Sequence, residues 1–191
     1  EASPLPFGKV SDMVLDADGN RAGWKRLQQY FDEAVGGWNS SKWTERGEIR
    51  IGGEGIKLSN LQGIQRPGLR VIQGESKPSG VSWCGIFASW VYRQAGLVQV
   101  KWVNGQGISY NGVKLVNEKT GFQPGDTIVI RGGEVHHAIV AEMPSCYDQD
   151  ANGNLDTSIV TINGNSTNQS IRIHSEYKLS DVAYFYKVPE L

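Results

Sequence analysis

The hydrophobic period of this chain changes once, and that change constrains the fold more than any other feature. In the first half apolar residues recur at helical spacing. Trp24, Leu27, Phe31, Ala34 and Val35 fall on one side of a helix that Gly36-Gly37 ends. A second helix is predicted from about Trp83 to Ala95, because Cys84, Phe87, Ala88, Val91 and Ala95 share one face and Gly96 follows as a stop. After residue 120 the period becomes two. Gln123-Pro124-Gly125-Asp126 is a turn, and strands are predicted at 127–130, 135–142, 158–162, 170–173 and 182–187. Helices first and then a run of antiparallel strands make an α+β fold, rather than a doubly wound α/β one.

The remaining segments are less periodic. The stretch up to Val14 is spaced by Pro and Gly and reads as irregular, and Asp16-Ala17-Asp18-Gly19-Asn20 as a turn. Residues 38–80 are rich in glycine; the pieces 48–51 and 69–72 read as short strands. The division expected is an N-terminal extension, 1–75, packed on a catalytic core, 76–191, as one globular unit. The 191 residues suffice to bury a core without staples. Lys plus Arg is 19 against 20 for Asp plus Glu, so no basic excess exists to neutralise phosphates, and nucleic acid is not the expected partner. No apolar run approaches the roughly 18–20 residues of a membrane span. Two cysteines, Cys84 and Cys146, are too few for a disulfide scaffold or a Cys-rich zinc site. The chain starts Glu1-Ala2-Ser3-Pro4 without an apolar leader core, which fits either a removed leader or an arbitrary boundary.

Cys84 falls in the first turn of the second helix. The partial positive charge of a helix N-terminus stabilises a thiolate, and neighbouring backbone N–H groups can donate to an oxyanion. From position alone, Cys84 is either a nucleophile or a small buried residue on the core face. His136 and His137 open a predicted strand about fifty residues later. Alternation sends them to opposite faces, so only one is expected to meet Cys84. A nucleophilic Cys with a later, non-adjacent His is the pattern of a Cys–His hydrolase.

These residues carry a family resemblance. Ser82-Trp83-Cys84-Gly85-Ile86-Phe87-Ala88-Ser89-Trp90-Val91 resembles the "W-C-A-x-F-V-S-W" nucleophile helix of CHAP domains, the cysteine, histidine-dependent amidohydrolases/peptidases of the papain-like, NlpC-related group. Gln123-Pro124-Gly125-Asp126 is similar to their "x-P-G-D" turn. His136-His137-Ala138-Ile139-Val140 is similar to their "H-V-A/G-I-V" strand, and Thr161-Ile162-Asn163-Gly164-Asn165 to their "T-I-E-G-N" segment. The four motifs stand in the family's order over residues 82 to about 187.

The resemblance implies a papain-like fold, with helices packed on an antiparallel sheet. It implies Cys84 as nucleophile, His136 as general base and acid, and Asn163 as the residue orienting His136, with Asn165, Trp83 and His137 in support. The family register selects His136 because its His stands two positions before the small residue, here Ala138; His137 stays the alternative base. Asn163 departs from the family's frequent carboxylate, but an Asn still accepts an imidazole N–H, as in Cys–His–Asn sites. The alternative for Asn163 and Asn165 is a hairpin turn. The implied substrate is an amide bond of bacterial peptidoglycan, cleaved outside the cytoplasm by a wall-remodelling enzyme, a phage-type lysin or an antibacterial effector. An effector would bring an immunity or inhibitor protein as partner. The rivals are a protease or deamidase acting on a protein, and an inactive wall-binding module of the same fold.

No cofactor is required by this chemistry. Asp148, Asp150, Asn152, Asn154 and Asp156, around Gly153, have the spacing of a calcium loop, but Ile159 stands where a bidentate Glu is expected, and a solvated turn is the competing reading. Cys146 is expected to be a bystander, with a disulfide to Cys84 as the redox alternative. Gly52-Gly53-Glu54-Gly55 lacks the Lys of a P-loop. Trp38, Trp43, Trp83 and Trp102 either line a groove or belong to the core.

Overall fold

The computed structural model describes residues 11–15, 17–35, 48–51, 54–57, 83–103, 106–110, 113–118, 120–132, 135–144, 157–166 and 170–189. Strand β1 (Ser11–Leu15) pairs antiparallel with β2 (Arg21–Ala22). Helix α1 (Trp24–Tyr30) runs on into a π-helical turn, Phe31–Val35. β3 (Glu48–Ile51) and β4 (Glu54–Lys57) pair with each other. Helix α2 spans Cys84–Gln94. β5 (Lys101–Val103) pairs with β6 (Gly107–Ser109). Then come β7 (Lys114–Val116), β8 (Thr127–Arg131), β9 (Val135–Glu142), β10 (Ser158–Ser166), β11 (Ser170–Lys178) and β12 (Val182–Lys187). The last six form one sheet in the order β11-β10-β9-β8-β12-β7, antiparallel at every pair. The chain is therefore a mixed helix and antiparallel-sheet protein, as the change of period predicts.

Two departures from the sequence reading have local causes. Ser11–Leu15 is a strand and not irregular, and its run Met13-Val14-Leu15 has the β-propensity to form one. β10 continues four residues past Ile162, through Asn163-Gly164-Asn165, which sequence alone allows as a turn. A register shift between Asn163 and Ser166, with Asn165 left-handed at φ 58°, lets turn-forming residues stay in the ladder. The piece 69–72 lies outside the described residues.

Both faces of the large sheet are apolar because its strands alternate between two cores. On one face Val129, Ile139 and Tyr186 pack with Ile86, Phe87 and Ala88 of α2. Leu27, Tyr30, Phe31 and Ala34, from α1 and its π turn, complete this core, so the N-terminal helix and α2 share one interior. On the other face Ile128, Ala138, Val140, Ile159 and Phe185 pack with Phe122. Asp126 fastens the turn before β8. Its buried carboxylate accepts from Gln123 N–H and Val188 N–H, both at 2.9 Å, and so ties that turn to the end of β12.

Two glycines let α2 pack closely, Gly164 against the large sheet and Gly85 against Trp102 of β5. A Cβ at Gly164 of β10 would strike the near end of the Phe87 side chain, and one at Gly85 would enter the Trp102 ring. These contacts fix the N-terminal end of α2 over the start of β9 and the far end of β10.

Candidate active site

Cys84 is the first residue of α2 and is buried. The first bond of that turn is Phe87 N–H to Trp83 C=O at 2.9 Å, so the amides preceding Phe87 have no acceptor within the helix. The thiol thus sits where the helix field favours negative charge. Cys84 is a thiol, not half of a disulfide. Trp83, before it, is fully buried and packs on Tyr30, which makes it a core residue and not part of a groove.

Asn163 is fully buried in β10, opposite Ala138 of β9. Its amide nitrogen donates to the Thr161 carbonyl at 3.2 Å and to Thr161 Oγ1 at 2.7 Å. A carbonyl can only accept, so this pair fixes which way the amide points. Its Oδ1 is then the acceptor for His136 Nε2, 2.9 Å away. His136 Nε2 must carry a proton, and Nδ1 is the nitrogen left free of Asn163.

One imidazole meets the thiol directly and the other acts on it from beside it. His137 Nδ1 lies 3.6 Å from Cys84 Sγ. His136 is hydrogen-bonded to Asn163 and, from beside the thiol, acts with His137 to lower the thiol pKa. Alternation therefore holds for the direct contact, which falls on His137 rather than on the His136 that the family register selects. His136 is the second residue of β9 and half-buried, and its ring stands against Asn163 of β10 and Tyr177 of β11. His137, one residue on, is buried against α2 beneath Tyr186, at 6.0 Å and nearly stacked, and edge-on to Trp102 at 5.0 Å.

The electrostatics follow from this packing. Burial pushes the Cys84 thiol up, but hydrogen bonds and charge from His136 and His137 outweigh it and hold the thiol well below its usual 9.0. Burial pushes His136 down from 6.5, but its bonds to Cys84, the sulfur's charge and the Asn163 oxygen raise it overall. Each group favours the charged form of the other, so the packing favours a thiolate beside an imidazolium.

Of the residues singled out in the sequence, Cys84, His136, His137 and Asn163 come together. Asn165 stands two residues beyond Asn163, in the left-handed bulge of β10. Sequence reasoning missed Tyr177, whose ring lies 5.8 Å from that of His136, and Tyr186; neither belongs to a motif that marks it. Cys146 and the acidic loop from Asp148 to Asp156 lie outside the described residues, as do Trp38 and Trp43. Among the described residues no cluster of three or more His, Cys, Asp or Glu could hold a metal, and no helix is long and apolar enough to cross a membrane. No family model matches the chain, and no curated protein or solved structure is similar to it at a significant level.

Proposed function

We propose that this protein is a papain-like cysteine hydrolase that cleaves amide bonds, with bacterial peptidoglycan as substrate. The observation that carries the reading is a cysteine at a helix N-terminus with an imidazole, His137, 3.6 Å from its sulfur and a neighbouring one, His136, held by the oriented oxygen of Asn163. The CHAP-like motifs support the choice of peptidoglycan and a place of action outside the cytoplasm.

In this mechanism the Cys84 thiolate attacks the amide carbonyl carbon. The backbone amides at the start of α2 donate to the developing oxyanion. His136, already protonated on both nitrogens, gives its Nδ1 proton to the leaving amine as the C–N bond breaks. Water then attacks the thioester with His136 as base, and the C–S bond breaks to return the thiolate. Asn163 keeps the ring in plane with the sulfur throughout.

Digestion of purified peptidoglycan, with the fragments analysed by mass, tests the reading. New amine and carboxylate ends should appear with wild-type protein. Cys84→Ala should lose turnover by a factor on the order of 10⁶, as nucleophile removal does in the subtilisin precedent. Labelling of wild-type protein by a thiol-directed activity probe separates an enzyme from an inactive module. Substantial hydrolysis by folded Cys84→Ala would sink the proposal, and cleavage of protein but not of peptidoglycan would move it to a protease.

A further inference from the structure

We infer that His137 is a second catalytic imidazole, a fixed Nδ1–H donor to the Cys84 sulfur that takes no part in proton transfer. The inference rests on the cysteine-hydrolase reading and divides the work at its sulfur between two rings. The two histidines act on the same thiol from different surroundings. His136 is half-buried and has an amide oxygen behind its far nitrogen. It can stabilise an added proton and can reach a leaving group that arrives from solvent. His137 is 7% exposed, lies under Tyr186 and is closed at one edge by Trp102. Its Nδ1 points at the sulfur from 3.6 Å. The titratable groups around it are Cys84 from α2, Tyr186 from β12 and His136 on its own strand.

A thiolate can only accept, so a ring nitrogen facing it must donate. A charge-assisted bond of this kind is stronger than a neutral one, and burial strengthens it further. The ring is held by packing, so the donor is in place before substrate binds. During acylation the sulfur's electron pair goes to the carbonyl carbon, and His137 keeps its proton. During deacylation the C–S bond breaks, its electron pair returns to sulfur, and the Nδ1–H is already aimed at the charge that reappears. The water proton goes to His136 in that step, so no proton passes through His137.

Alkylation of Cys84 by iodoacetamide across pH, followed by mass analysis of the Cys84 peptide in the full chain, tests this without any substrate. His137→Phe keeps a stacking ring and removes the donor. Its alkylation rate at pH 6, relative to pH 9, should fall about tenfold. An Asn amide nitrogen stands near where Nδ1 stands, and a Gln one near Nε2. His137→Asn should therefore recover most of the acid-side rate, and His137→Gln should not. An unchanged profile in His137→Phe overturns the inference, and so do equal profiles in the Asn and Gln variants, which decide the matter if the Phe variant does not fold. On the hydrolytic side, His137→Asn should keep measurable turnover where His136→Ala loses it. A loss as deep as that of His136→Ala would make His137 the base and overturn the division. If wild-type protein shows the alkylation behaviour but cleaves no peptidoglycan, the substrate reading fails and the role of His137 stands.

Discussion

At the residue scale, Cys84 and His136 each hold the other's charge. The acid limb of activity follows ionisation of the thiol, which lies well below the usual cysteine value of 9.0. The alkaline limb follows loss of the His136 proton, which lies above the usual 6.5. The pH profile of kcat/KM should therefore be a bell with its acid limb below the usual cysteine value and its alkaline limb above the usual histidine value. A rate that rises only as pH approaches 9 would show that no ion pair exists. Asn163 enters through His136 alone. Asn163→Ala removes a hydrogen bond that favours the imidazolium, so the alkaline limb should move to lower pH. The ring is also less well aimed, so kcat should fall more than KM rises, with a loss of about 10²-fold for misplaced catalytic geometry. Steady-state kinetics across pH checks both; an unmoved alkaline limb with full kcat would remove Asn163 from the site.

At the element scale, the site depends on how closely α2 approaches β10. Gly164 is the point of closest approach, and a methyl there meets Phe87 at Cβ and Cγ, atoms near the helix backbone that cannot swing away. Gly164→Ala should destabilise the protein by about 1–3 kcal/mol, as overpacked core sites do. It should also lower turnover, because Asn163 stands next to it and must shift with β10. Thermal melts and kinetics on the same sample check this; a variant with wild-type Tm would mean the helix yields freely. The same elements show what a sequence can reveal. α2, β8, β9 and β12 repeat their apolar residues long enough to set a period, and so their faces can be read directly. β5, β6 and β7 have three residues each, too few to show alternation. The end of β10 is written in turn residues whose reasons are tertiary: Asn163 is bonded inside the protein, Gly164 admits Phe87, and Asn165 carries the bulge. In the site, Cys84 is visible from its place at a helix start. The pairing of His136 with Asn163 is not, because it depends on how β9 and β10 are placed side by side.

At the scale of the whole molecule, the question is whether the N-terminal helix is an appendage or part of what holds the site together. The packing answers in favour of the second. Phe31 and Leu27 are fully buried, and they share one core with Phe87 of α2 and Ile139 of β9. Tyr30 packs on Trp83, the residue before Cys84, and on Phe87 edge-on at 5.5 Å. Gln94 at the far end of α2 donates to Glu33 at 2.6 Å. The start of α2 is therefore held from one side by the sheet and from the other by α1 and its π turn. Phe31→Ala empties a site with no route for solvent, and large-to-small changes of this kind cost about 3–5 kcal/mol. For a chain of this length, each kcal/mol lowers Tm by about 2–4 °C. The loss should appear as one transition in calorimetry, with far-ultraviolet helix signal, near-ultraviolet tryptophan signal and hydrolytic activity all disappearing at the same temperature. A helix that only decorated the core would instead melt first and leave an active sheet and α2 behind. Two separated transitions in Phe31→Ala, with activity following the second, would place residues 24–35 outside the cooperative unit that aims Cys84.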